Sequence, residues 1–184
     1  MKKMGKINSY ISQGGIILKT NIIKNGLDTS RLVNLIICFK SPDEFKMYGY
    51  HFPKNLFFVS DVSFGETVGI LINKYDMNKK EAISKVKQWH ESFCLQRITE
   101  EDIEKFMPIV KDANKKIVQK LGKNYEILEN DIKIIACFMK AGVNIVHTFD
   151  KGFKETCRLL NMNIAQDPIR DRNLEKKIKD NLGK

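Results

Sequence analysis

The sequence predicts an α/β fold with a central parallel sheet covered by helices on both faces. Short apolar, β-prone runs recur along the chain, stretches of helical length and apolar spacing lie between them, and the two kinds alternate in order. At 184 residues, 42% of them hydrophobic, the chain is long enough for one domain to bury a substantial core without disulfides or a metal staple.

The elements follow in order. Residues 15–18 (GIIL) read as a strand, residues 31–39 (RLVNLIICF) as a helix with an apolar stripe, and residues 56–59 (LFFV) as a second β-prone run. Residues 64–75 and 79–93 have helical character, the latter with Ala82, Ile83, Val86 and Trp89 on one face. Residues 94–98 (CLQRI) predict a third strand. Thr99, followed by Glu100, Glu101 and Asp102, predicts a helix start, and Pro108 must end that helix, kink it or open the next. Residues 113–121 close on Gly122, and the strongly apolar residues 131–141 (DIKIIACFMKA) close on Gly142. A strand over 143–148 follows, then a helix over 154–160 and a short segment over 162–164. The expected organisation is a basic N-terminal extension (1–14), one folded domain (15–166) and a charged tail (167–184), with no internal repeats.

Composition narrows the function classes. A net charge of +10 favours a polyanionic partner through phosphate contacts and counterion release, with a merely solvated lysine-rich surface as the alternative. Cys38, Cys94, Cys137 and Cys157 are widely spaced among apolar neighbours, which predicts buried thiols rather than a disulfide framework or zinc site. His51, His90 and His147 show no metal-ligand spacing and no Ser-His-Asp order. No apolar run is long enough to cross a bilayer, and the start (MKKMGKINSYISQGG) lacks the apolar core of a signal peptide, so a soluble, cytoplasmic protein with no membrane partner is expected.

In such a sheet ligands gather at the carboxyl ends of the strands. The acids there are Asp28, before the first long helix; Glu66, past the 56–59 run; Asp131, at the start of the apolar helix; and Asp150, past the 143–148 strand. Each also has a purely structural reading. Asp28 and Asp131 suit helix N-caps, Ser63 and Glu66 have capping-box spacing, and Asp150-Lys151-Gly152 is ordinary turn chemistry. Jointly they suggest more. Carboxylates brought together from distant parts of a chain repel one another, and such a cluster persists mainly when it holds a divalent cation, for which hard oxygen ligands suit magnesium or manganese.

The segments GIILKTNII, FFVSDVSFGETVGIL and ENDIKIIACFMKAGVNIVHTFDKGF, in that order, resemble the PIN domain of metal-dependent ribonucleases, including the VapC-type toxins, over about residues 15–165. The resemblance implies a three-layer α/β/α sandwich with a central parallel sheet and an acidic pocket for Mg²⁺ or Mn²⁺. It places Glu66, Asp131 and Asp150 at the family's acidic positions and Thr148 at a supporting hydroxyl. It also implies cleavage of RNA, single-stranded or structured, often by a homodimer, and for a toxin a small antitoxin protein as partner.

Two features depart from the family pattern. PIN domains usually carry an aspartate at the end of the first strand, followed by Thr and Asn. Lys19-Thr20-Asn21 fits that register with the better strand before it, and would put a lysine in a ligand position. Asp28-Thr29-Ser30 restores the acid, but its preceding IIKNGL contains Lys24, Asn25 and Gly26 and makes a poor strand. The second departure is Gly152, where many relatives carry another acid. The expected mechanism has Glu66, Asp131 and Asp150 as metal ligands, Asp28 as a fourth, Asn21 and Thr148 as supports, and Lys151 and Lys154 on flanking phosphates. The alternative, should Lys19 occupy the ligand position, is a catalytically silenced RNA-binding or assembly module. The helical stretch 78–122 and the two basic extensions make the chain longer than a compact toxin, so a housekeeping RNA-processing nuclease stands beside the toxin as a reading.

Overall fold

The computed structural model describes residues 12–13, 16–17, 22–39, 55–92 and 96–165. Strands β1 (Ser12–Gln13) and β2 (Ile16–Ile17) pair antiparallel as a separate ribbon. The core of the molecule is a parallel five-stranded sheet built from β3 (Ile23–Leu27), β4 (Asn55–Ser60), β5 (Gln96–Ile98), β6 (Ile145–His147) and β7 (Asn163–Ile164), in the order β5-β4-β3-β6-β7. The connecting helices are α1 (Thr29–Cys38), α2 (Asp61–Tyr75), α3 (Lys79–Ser92), α4 (Met107–Leu121), α5 (Glu129–Ala141) and α6 (Lys151–Leu159).

Strand periodicity divides the core between the two faces of the sheet. On β4, Phe57 and Val59 join Leu27 in a cluster with Leu32, Leu35 and Ile36 of α1, Leu71 of α2, and Val86 and Trp89 of α3. Phe58 points the other way, into a cluster with Val146, with Ile134, Ile135 and Phe138 of α5, and with Phe153 and Cys157 of α6. Burial of these apolar surfaces on both faces is the dominant stabilising term and makes the fold a three-layer α/β/α sandwich. Cys38, Cys137 and Cys157 are buried, and burial raises the Cys137 thiol to about 11.

The structure corrects several local expectations. Of the run at 15–18, the described residues Ile16 and Ile17 form β2, which pairs with β1 and not with the central sheet. The middle strand is instead β3 (IKNGL), the stretch that looked poor by propensity. Its polar residues find tertiary partners: Asn25 Nδ2 donates to Asn55 Oδ1 at 3.0 Å, His147 Nε2 lies 3.0 Å from Asn25 Oδ1, and Lys24 Nζ donates to the Ala141 carbonyl at 2.7 Å. Gly26 is required because a Cβ there would stand 2.9 Å from the Phe138 ring. Context thus overrides intrinsic preference in this strand.

Thr99 starts no helix. Residues 99–106 form turns, with Asp102 in the left-handed region (φ 56°), and Pro108 opens α4 within its first turn. Ser63 and Glu66 make no capping box, since the N-cap of α2 is Ser60, whose Oγ accepts the Ser63 N–H at 3.0 Å. Asp131 is not an N-cap either; it stands in the first turn of α5 and takes the Leu128 N–H at 3.0 Å. The last helix starts at Lys151, three residues before its expected start at 154, because Asp150 caps it. Lys19, Asn21, Cys94, His51 and the tail at 167–184 lie outside the described residues.

Candidate active site

The carboxyl ends of β3 and β6 lie side by side, with Leu27 paired to His147. Asp28 directly follows β3, Asp150 lies three residues past β6, and each begins the next helix. Asp28 accepts the Arg31 N–H at 2.8 Å and Asp150 accepts the Phe153 N–H at 2.6 Å, so both are N-caps in the strict sense. Two residues of the β6–α6 turn reach across to the β3–α1 turn. Thr148 Oγ1 donates to Asp28 Oδ2 and accepts the Asp150 N–H at 3.1 Å. Ser30 Oγ donates to the Asp28 carboxylate and accepts the Phe149 N–H at 3.1 Å.

Glu66 comes from the second turn of α2. Its oxygens are held from two other helices, by Thr29 Oγ1 at 2.6 Å and by Asn130 Nδ2 at 2.7 Å. Asp131, next to Asn130, completes the group from α5. Four elements therefore deliver acids to one edge of the sheet: β3–α1, α2, α5 and β6–α6.

The electrostatics show that these acids share one environment. Asp28 is only 4% exposed, and burial raises its carboxyl to about 6 against the pull of its hydrogen bonds from Thr148, Arg31 and Ser30, with the Asp131 charge pushing the same way as burial. Asp131 is also raised, first by burial and then by the Asp150 and Glu66 charges, while the Leu128 N–H opposes the shift. Among the described residues no lysine or arginine forms an ion pair with any of the four. Holding like charges together around one that is buried is unfavourable, and this is the chemistry a hard divalent cation relieves. The donor set therefore fits such an ion. As positioned, no three acidic, histidine or cysteine side chains among the described residues form a ready-made cation cage, because several of their oxygens are turned onto hydroxyls, an amide and backbone N–H groups.

The other sequence-derived positions are also located. Thr148 is buried between the two turns, Lys151 is exposed on the first turn of α6, and Lys154 is half-buried one turn on. Gly152 is buried and faces away from carboxylate chemistry: a Cβ there would meet the Tyr125 carbonyl oxygen at 2.5 Å, which leaves no room for an acid. Sequence reasoning missed Thr29, Ser30 and Asn130 as partners of the acids. Thr29 and Ser30 were visible as the residues after Asp28, whereas Asn130 carries no signal beyond adjacency to Asp131.

The sequence profile of the PIN domain matches residues 27–159. No curated protein matches the chain. Among solved structures, VapBC2 from Rickettsia felis, bound to a DNA fragment from its promoter, has a TM-score of 0.54 at 16% identity, over 78% of this chain and 98% of that one. VapBC-1 from nontypeable Haemophilus influenzae has a TM-score of 0.49 at 16% identity, over 78% and 98%. VapC20 from Mycobacterium tuberculosis, described as a sarcin-ricin loop cleaving toxin, has a TM-score of 0.47 at 17% identity, over 70% and 92%. Since the profile match begins at Leu27, just before Asp28, and spans well over half of its length, the chain belongs to the PIN-domain family.

Proposed function

We propose that this protein is a metal-dependent endoribonuclease that hydrolyses phosphodiester bonds of RNA. The observation that carries the reading is the convergence of Asp28, Glu66, Asp131 and Asp150 at the carboxyl edge of the sheet, with Asp28 buried and no cation paired to any of them among the described residues. Asp28 is the first acid, in the Asp28-Thr29-Ser30 register. Bound there, Mg²⁺ or Mn²⁺ would supply Lewis acidity toward the scissile phosphate and offset the charge of the transition state.

The protein's own part is positioning. Thr29 and Asn130 fix the two oxygens of Glu66, and Ser30 and Thr148 fix Asp28, in the way outer hydrogen bonds orient metal ligands. Lys151 and Lys154 hold phosphates flanking the cut, and the basic surface steers the polyanion. We further propose an antitoxin protein as partner, in line with the VapBC2 complex that shares the fold, and, as the PIN resemblance implies, a homodimer as the working form. Among the described residues no helix is long and apolar enough to cross a membrane.

A second reading takes Lys19-Thr20-Asn21 as the competing register, with a lysine in the ligand position: the domain then binds RNA and does not cut it. One experiment separates the two. Labelled single-stranded RNA is incubated with the protein while Mg²⁺ or Mn²⁺ is titrated. Metal-dependent cleavage that disappears in Asp150→Ala supports the nuclease, whereas RNA binding that is indifferent to EDTA and never leads to cleavage favours the binding module.

A further inference from the structure

Phe149 lies between Thr148 and Asp150, yet its side chain stays 37% exposed. Its backbone is not free to move: its N–H is held by Ser30 Oγ, which also holds Asp28, and the neighbouring Thr148 and Asp150 are tied into the same network. The Arg31 guanidinium lies 5.5 Å from the ring centroid, and Arg31 is itself buried on the turn that Asp28 caps. A ring fixed by its backbone, backed by a buried cation and still open to solvent is a preorganised flat surface. Leu128, 75% exposed, donates its backbone N–H to Asp131, so a second uncovered apolar residue is anchored through its backbone to one of the acids. Scattered exposed apolar residues need no explanation, but two that are hydrogen-bonded into one acidic cluster do.

We propose that Phe149 is a stacking platform for an unpaired nucleobase, holding the nucleotide beside the phosphate that the acids address, with Leu128 as an apolar edge of the same subsite. This deepens the nuclease reading and rests on it. The occupant is a nucleobase because every base offers a π-face to an aromatic ring, the exposed Lys151 two residues on suits the attached phosphate, and the chain's charge of +10 favours a polyanion over an acid-poor peptide. It is an unpaired base because the bases of a duplex are already stacked on one another and cannot splay onto a side chain. The device predicts a preference for single-stranded or looped RNA at the cleavage point.

The test is fluorescence anisotropy of a short labelled single-stranded RNA in EDTA, where binding is read without cleavage, alongside the same RNA carrying one abasic nucleotide at successive positions. The parent should bind the intact RNA more tightly than the RNA abasic at one position. Phe149→Ala, with an unchanged thermal melt, should weaken binding of intact RNA by roughly tenfold and erase that preference, and Phe149→Trp should restore both. Equal binding of both RNAs by parent and Phe149→Ala overturns the proposal and leaves the ring to a protein partner; a parent that binds no single-stranded RNA overturns it as well. Cleavage in magnesium separates this idea from the one beneath it. Base-dependent binding without cleavage removes the nuclease reading and keeps the platform, whereas cleavage with the same kcat/KM in parent and Phe149→Ala removes the platform and keeps the nuclease.

Discussion

The β3–α1 and β6–α6 turns are built alike and end up buried to different depths. In both, an aspartate in the turn after a parallel strand opens a helix and caps it through the N–H three residues on. Asp28, on the middle strand, is buried, accepts hydroxyls from Ser30 and Thr148, and has its carboxyl raised to about 6. Asp150, one strand further out, is exposed. The comparison teaches that capping is decided within four residues, while the cost of a charge is decided by what the rest of the fold stacks over it.

The largest effect should treat the two turns equally. Under the proposed function, Asp28→Asn and Asp150→Asn should each cut RNA cleavage in saturating magnesium by on the order of a thousandfold, the several kcal/mol expected on loss of a ligand at such a site. Cleavage by either variant at the parent rate in a gel assay would remove that residue from the site.

Stability should split them. The folded state binds the Asp28 proton more tightly than the unfolded chain, so this group's contribution is fully present below about pH 4 and is lost as pH rises through about 6. Ionised Asp28 therefore costs the metal-free protein about 3 kcal/mol above that window. Asp28→Asn should raise the denaturant midpoint in EDTA at pH 8, with the gain vanishing near pH 4, although it abolishes activity. A midpoint that falls at pH 8 would mean that the hydrogen bonds, not burial, dominate at Asp28.

Gly152→Ala tests the packing behind the outer turn. The new Cβ would meet the Tyr125 carbonyl, so a loss of about 1–3 kcal/mol in chemical denaturation is expected. An unchanged midpoint would reopen this position to an acid. The positioning bonds come next: Thr29→Val and Asn130→Ala should each lower kcat/KM by roughly 10- to 100-fold, an effect of the size seen when outer partners of metal ligands are removed. The smallest effect sharpens the comparison. Asp150→Ala should cost about 1 kcal/mol of stability as a lost cap, whereas Asp150→Asn, which keeps an acceptor, should cost much less.

Much of this was legible beforehand. The strand at 56–59, the helices on either side of the apolar core and the α5–β6 passage follow from runs of apolar residues that retain their character in any surroundings. Glu66 and Asp150 could be placed because each sits a few residues past such an element, and Asp131 because it opens one. The middle strand was misjudged for the opposite reason. Lys24, Asn25 and Gly26 oppose a strand until Ala141, Asn55 and Phe138 are in place, and those partners are distant in sequence. Thr29 and Asn130 escaped notice likewise, since nothing near them in the chain indicates that both point at Glu66.

The sequence by itself determined the alternation of strands and helices, the parallel layered architecture, the basic surface and the residues able to cap each helix, because all of these rest on local periodicity, side-chain chemistry and total charge. Only the tertiary structure decided that IKNGL is the middle strand, that Asp28 rather than a more exposed acid is buried, and that hydroxyls and an amide from other helices hold the carboxylates. Those outcomes depend on burial and on hydrogen bonds between residues far apart in the chain, and such bonds acquire their energetic meaning only when folding removes the water around them.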